Sequence, residues 1–176
     1  VYIRAIAVRN VLSQDSLRFN IVMSEPNATN HLDLKGNIHF AHNAPAYIDF
    51  DPSTIVINED QWGLNDDATV RVSKGKIYLN NLILSQAEQQ VSLNGVMSGD
   101  TDKLLVDFSR FNLTSLNGIT NPLGIHLVGA MDGKIEISCL FSKPFASANL
   151  QTGDISYNQI DVGRLNLLAD LDPTTG

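Results

Sequence analysis

The chain has 176 residues, about the length of one globular domain, and 43% of them are hydrophobic, which is too many for a disordered segment. Nineteen acidic residues against twelve basic ones give a formal net charge of −7, so the chain lacks the positive surface that nucleic acid selects. A single cysteine allows neither an internal disulfide nor a cysteine-ligated zinc site. We therefore expect residues 1–176 to form a single module with no nucleic-acid partner, no metal and no cofactor.

Apolar and polar residues alternate along most of the chain, and this period of two predicts half-buried β-strands. Residues 31–40 are an example, because their apolar side chains fall on one face and their charged or polar side chains on the other. Asn80 and Asn81 interrupt the alternation as a β-bulge would. In chain order, the alternating apolar positions are Leu17, Phe19, Ile21, Met23; Leu32, Leu34, Ile38, Phe40; Ile77, Leu79, Leu82, Leu84; Val91, Leu93, Met97; Leu104, Val106, Phe108; Ile125, Leu127, Met131; Ile135, Ile137, Cys139; and Leu165, Leu167.

Turn signals separate these strands at residues 73–76, 98–100, 132–133 and 153–154, and Asp132-Gly133 is the strongest hairpin signal among them. Short strands joined by tight turns predict an antiparallel, meandering all-β protein. Helical spacing is limited to residues 113–118, where Gly118 can end the turn. The sequence thus predicts at most one short helical turn near 113–118.

A pattern of the form Leu-x-Gly-x-(Ile/Met) recurs as LKGNI at 34–38, LNGVM at 93–97 and LVGAM at 127–131. It defines weak internal repeats around 32–50, 91–108 and 125–139. Gly36, Gly95 and Gly129 each fall on the apolar face of the predicted strand. A glycine there leaves nothing to pack, and it lets a sheet bend towards that face. We therefore expect a strongly curved sheet with an apolar concave face rather than two flat sheets packed together.

The residues predicted to line this concave face belong to the strands on either side of these glycines. They are Leu32, Leu34, Ile38, Phe40, Ile77, Leu79, Val91, Leu93, Met97, Leu104, Val106, Phe108, Ile125, Leu127, Met131, Ile135 and Ile137.

Several stretches between residues 55 and 171 match a known family in order and spacing. They are IVINEDQW at 55–62, IYLNNLIL at 77–84 leading into VSLNG at 91–95, LVDF at 105–108, FNLTSLN at 111–117 and LVGAMDG at 127–133. In these stretches the chain resembles the family of the translocation and assembly module TamB and its AsmA-like relatives, from Gram-negative cell envelopes.

The resemblance implies a periplasmic β-structure whose sheet forms a taco or half-pipe lined with apolar residues. It implies phospholipid transport between the inner and outer membranes, and outer-membrane biogenesis together with a barrel assembly partner. Such proteins carry an inner-membrane anchor and a terminal segment that meets the barrel, and we expect both to lie in regions missing from this chain. Because the chain begins and stops in strand-like runs, we interpret it as a piece of a longer sheet whose edges could pair between molecules as an artefact.

Candidate catalytic and metal-binding residues have simpler interpretations. His31 and His39 are eight strand positions apart, about 26 Å, which is too far for one metal ion. Cys139 is in register with apolar neighbours and is interpreted as a core residue, and Trp62 as a packing anchor at the sheet edge. We therefore expect a protein that is not an enzyme.

Three functions remain open. The first is a lipid conduit whose lining holds acyl chains. The second is a structural scaffold or chaperone for outer-membrane protein assembly, whose open sheet edges pair with client strands. The third is a closed β-sandwich for adhesion or carbohydrate binding. The shape of the sheet discriminates between the conduit and the sandwich.

Overall fold

One large antiparallel β-sheet forms the body of the protein. The computed structural model describes residues 5–13, 15–24, 30–40, 42 and 44–171. The strands are β1 (Ala5–Leu12), β2 (Ser16–Ser24), β3 (His31–His39), β4 (Ala46–Ile57), β5 (Asp60–Leu64), β6 (Thr69–Ser73), β7 (Lys76–Gln86), β8 (Gln89–Met97), β9 (Lys103–Asn112), β10 (Leu127–Val128), β11 (Ala130–Ser138), β12 (Phe145–Thr152), β13 (Ile155–Tyr157), β14 (Ile160–Gly163) and β15 (Asn166–Leu171). The predicted all-β class is confirmed.

Helical structure is confined, within the described residues, to the connection between β9 and β10. A 3₁₀ turn at Leu113–Leu116 is followed by helix α1 at Asn117–Thr120 and a second 3₁₀ turn at Asn121–Leu123. The helical segment therefore continues past the turn predicted at 113–118. Among the residues that the structure describes, no helix has the length and hydropathy needed to cross a membrane.

The main sheet is an antiparallel meander with the strand order β1-β2-β3-β4-β5-β7-β8-β9-β11-β12-β15. Strand β6 shares the position of β5, because both strands pair with β4 on one side and with β7 on the other. Residues 65–68 interrupt this position. There the Asn65 side chain replaces strand pairing, since it accepts the Ile83 N–H and donates to the Asn81 carbonyl, both at 2.7 Å. A second, three-stranded sheet has the order β10-β13-β14.

The strand register places one apolar residue from every position of the main sheet in a single row across it. Directly paired residues share a face, so the row can be followed from edge to edge through the pairings. At about 4.8 Å per strand it extends on the order of 50 Å along the sheet. The row consists of Leu12, Leu17, Ile38, Ile48, Val70, Leu79, Gly95, Leu104, Ile137, Ala146 and Leu171.

The opposite face of the sheet is mostly polar, as the alternation requires. Its row beside the apolar one begins with the exposed Val11 on β1 and continues with Arg18, Asn37, Asp49, Thr69 and Asn80, and beyond the bulge with Asn94, Leu105, Glu136, Ser147 and Asp170. Neighbouring side chains in this row form hydrogen bonds: Arg18 donates to Asn37 at 3.2 Å, and Asn37 donates to Asp49 at 3.1 Å. The sheet therefore has one apolar face and one polar face.

Three glycines on the apolar face share a close approach to the backbone of the neighbouring strand. Gly36 pairs with Phe50, Gly95 with Leu104, and Gly133 with Leu150. A Cβ atom added to each glycine would lie 2.1–2.3 Å from the carbonyl oxygen of the residue that precedes its partner. All three glycines also lie close to a register irregularity in the sheet. These close approaches, together with the nearby bulges, bend the sheet towards its apolar face.

Two strand predictions around Gly129 are wrong. A single strand was expected through Ile125, Leu127 and Met131, but the chain breaks at Gly129 and Leu127 pairs with Tyr157 in the small sheet. Asp132-Gly133 is not a hairpin turn either, because both residues lie inside β11 next to a bulge, and Gly133 has a φ of +131°. Gly133 therefore has the bending role that was assigned to Gly129.

Candidate apolar groove

The predicted lining residues are nearly all brought together on the apolar face of the main sheet. Those on this face are Leu32, Leu34, Ile38, Ile77, Leu79, Val91, Leu93, Met97, Leu104, Val106, Phe108, Met131, Ile135 and Ile137. Three others lie outside the main sheet. Phe40 follows the end of β3, Ile125 precedes β10, and Leu127 is in β10.

The lining side chains are only partly covered. Leu104 is 5% exposed and Phe40 is 45% exposed, and every other predicted lining residue is half-buried. This partial exposure fits a curved sheet whose apolar face is not filled by a second layer.

Sequence reasoning missed part of the lining. The register adds Ile48, Phe50, Val70, Ala146 and Ala148 to the apolar face. In β4 the alternation is not continuous, because the strand has one extra residue between Asp51 and Thr54, the partners of Lys35 and Asp33. Apolar residues before and after this bulge therefore fall at positions of different parity. In β12 the alternation of alanine with serine and asparagine is too weak in hydrophobicity to indicate a buried face.

One end of the apolar face is closed by aromatic packing. In a flat sheet, β5 and β9 would be about 14 Å apart, because two strands separate them. The rings of Trp62 on β5 and Phe111 on β9 nevertheless have centroids 6.1 Å apart, and Phe108 stacks edge-on against Phe111 at 5.5 Å. The sheet is therefore strongly curved here, and Trp62 is 2% exposed.

Residues 113–123, which we call the strap, lie against this closed end. The Asn58 side-chain amide, in the turn between β4 and β5, donates to the carbonyls of Thr114 at 3.0 Å and Ser115 at 2.9 Å. Asn117 binds both backbone groups of Leu127, each at 2.9 Å. The strap is thus held on one side by the main sheet and on the other by its own return to β10.

The opposite ends of the same strands carry charged side chains instead. Lys76, at the start of β7, contacts Asp100 at 2.8 Å and Asp102 at 2.6 Å, and the buried Ser98 hydroxyl donates to Asp102 at 2.9 Å. The hydrogen bonds to Asp100 and Asp102 raise the pKa of Lys76. The bonds from Lys76 and then Ser98 hold the pKa of Asp102 below its ordinary value.

The residues considered for other chemistry are separated. His39 binds Asp49 at 2.6 Å on the polar face, and Cys139 lies in the turn after β11 with a φ of +54°, not on the apolar face as predicted. Within the described ranges, no three histidine, cysteine, aspartate or glutamate side chains come together in a way that could hold a metal ion.

Comparison of the chain with family models, curated proteins and solved structures finds no match.

Proposed function

We propose that this chain is a segment of a lipid-conducting groove, of the kind that the TamB and AsmA-like family builds in the periplasm of Gram-negative bacteria, and that it holds phospholipid acyl chains during transport between the two membranes. The observation that carries this proposal is the apolar row from β1 to β15, which is interrupted by a glycine at β8 and whose side chains are largely half-buried. A contiguous, partly exposed apolar surface of this size is typical of a binding site rather than of a packed core.

The physical chemistry of the face suits acyl chains. Each methylene that moves from water onto the lining gains about 0.8 kcal/mol. Because this gain has no directional requirement, a chain could slide between rows without passing a specific contact. The polar face keeps the other side of the sheet in water. Selection among lipids with different acyl chains should therefore be weak.

Photo-crosslinking in cells tests the proposal. A photo-reactive amino acid at Leu93, on the apolar face, should capture phospholipid in the full-length protein. The same group at the neighbouring Ser92, on the polar face, is the matched control and should capture little. Equal capture at both positions, or none at Leu93, would count against a lipid groove.

A second candidate function is a scaffold or chaperone whose sheet edge pairs with strands of outer-membrane proteins, acting with a barrel partner. The exposed surface of β15 favours it, since Leu168 on its polar face is 78% exposed. Leu168→Lys should impair this function and leave lipid binding intact, whereas Leu93→Asp should do the reverse. The closed β-sandwich is not favoured, because the described strands of the main body form one sheet.

A further inference from the structure

Two buried polar side-chain atoms, one on β5 and one in the strap, have no hydrogen-bond partner in the described part of the chain. They are Nε1 of Trp62 and Oγ of Ser115. Trp62 is 2% exposed and Ser115 is 7% exposed. A buried donor or hydroxyl without a partner is costly and uncommon in native proteins, so each calls for a physical explanation.

Both atoms belong to one small region. Ser115 is in the strap, and its carbonyl accepts the hydrogen bond from Asn58, in the turn that leads to Trp62. Phe111, which contacts the Trp62 ring, precedes the strap. A Cβ atom on Gly118 would lie 2.9 Å from the Asn58 side-chain oxygen, so the strap is seated closely on this turn.

We propose that the strap is a lid over a polar anchor, and that Trp62 Nε1 and Ser115 Oγ bind the ester carbonyl of a lipid whose acyl chains lie on the apolar face. This inference rests on the lipid groove proposed above and adds to it a site of defined chemistry at the closed end.

The chemistry of the region favours a neutral acceptor. The indole N–H can only donate a hydrogen bond, and the serine hydroxyl can donate a second. The charged side chains at the turn end of this hairpin are Glu59 and Asp60, both acidic, and they disfavour a phosphate or a carboxylate there. An ester carbonyl is a neutral acceptor attached directly to an acyl chain, so it can reach a polar pair at the end of an apolar lining.

The hydrogen bonds of the strap indicate which side opens. The Asn117 side chain binds Leu127 through two bonds, and the Leu113 N–H donates to the Gly129 carbonyl at 2.9 Å. These bonds join the strap to its own return segment, so they can move with it. The Asn58 bonds cross to the β4–β5 turn and must break if the strap lifts. The bonds from Asn58 therefore hold the strap in its closed position.

The protein offers a direct reporter, because Trp62 is its only tryptophan and gives a single indole N–H signal in a ¹H–¹⁵N NMR spectrum. The full chain is titrated, below the micelle concentration, with dihexanoyl phosphatidylcholine and with its dialkyl ether counterpart. The two lipids share the headgroup phosphate and differ in the ester carbonyls. The ester lipid should shift the indole signal downfield and bind about five- to a hundredfold more tightly than the ether lipid, the contribution of the two hydrogen bonds to its carbonyl.

Matched variants complete the test. Trp62→Phe keeps an aromatic ring and should reduce the preference for the ester lipid while the ether lipid still binds, and Trp62→Phe combined with Ser115→Ala should abolish the preference. Ser115→Ala should also reduce that preference. Asn58→Ala should increase the affinity for the ester lipid, because it removes the hydrogen bonds that hold the strap closed.

The outcomes separate the two proposals. If both lipids bind equally and shift the methyl signals of Leu93 but not the indole signal, the anchor is wrong and the groove stands. If neither lipid binds, both the ester-binding site and the lipid groove are wrong. An indole shift of equal size with both lipids assigns the contact to the phosphate and overturns the ester anchor.

Discussion

The bend at Gly95 should be the most sensitive point of the main sheet. In Gly95→Ala, the new Cβ would lie 2.1 Å from the Lys103 carbonyl oxygen, a distance that forces the backbone of β9 to move. The residue also has a φ of +121°, in a region that side chains rarely adopt. The strained conformation costs about 1–3 kcal/mol. The backbone displacement adds about 1–3 kcal/mol.

The sum, about 4 kcal/mol, is a large fraction of the 5–15 kcal/mol that stabilises a typical domain. For a chain of this length it should lower the thermal midpoint by about 8–16 °C. Trp62 fluorescence and circular dichroism follow the unfolding, because the only tryptophan is buried at the end of the same face.

Two other glycines separate the contributions. Gly75→Ala has a φ of +75° but no atom within 4 Å of the added Cβ, so it should cost only the conformational part, about 1–2 kcal/mol. Gly153→Ala has neither feature and should cost nothing. If Gly95→Ala unfolds at the same temperature as Gly75→Ala, close backbone approach does not shape this sheet.

Four further predictions concern the groove, the charged cluster of Lys76, Asp100 and Asp102, and the strap. Leu93→Asp should weaken binding of a diacyl lipid about ten- to a hundredfold, since it removes a leucine's share of the lining, whereas Ser92→Asp on the polar face should leave binding unchanged; a lipid titration decides. The lowered pKa of Asp102 means that its stabilising contribution is present above pH of about 3.9 and is lost as the pH falls through the folded-state value, so Asp102→Asn should flatten the acid side of a stability–pH curve. The raised pKa of Lys76 means that its contribution is complete below pH of about 10.4 and is lost only as the pH rises through its folded-state value, so Lys76→Gln should flatten the alkaline side of the same curve. Asn58→Ala should accelerate amide exchange in the strap without changing exchange in β8, and equal acceleration in both would show global destabilisation instead.

The sequence predicts features that depend on local alternation. The period of two identifies the faces of β3, β8 and β9, and the apolar-face glycines Gly36 and Gly95 follow from the same parity. The period of two fails at Gly129, because the pattern LVGAM is compatible both with one continuous strand and with two strands separated at the glycine. The pairing of Leu127 with Tyr157, thirty residues further along the chain, decides between the two.

The strap contacts depend on tertiary structure in the same way. Asn58 is 57 residues from Ser115 in sequence, and an isolated asparagine after a strand is an ordinary turn residue. Trp62 is buried against Phe111 and so packs as predicted, but the predicted position at the sheet edge is wrong, because β5 lies between β4 and β7. Its unpartnered N–H could not be foreseen, because no sequence pattern indicates which hydrogen bonds a buried side chain lacks.

The meander has a consequence for how the protein gains and loses structure. Each strand of the main sheet contacts chiefly the strands on either side of it, so the sheet is a nearly one-dimensional array. A hairpin inserted between two neighbours would lengthen the array by about 9–10 Å and leave every other pairing in place. Unfolding can likewise begin at an outer strand and progress inward, strand by strand. Such a sheet can change its length by duplication of hairpins, so its length depends on how many strands it contains.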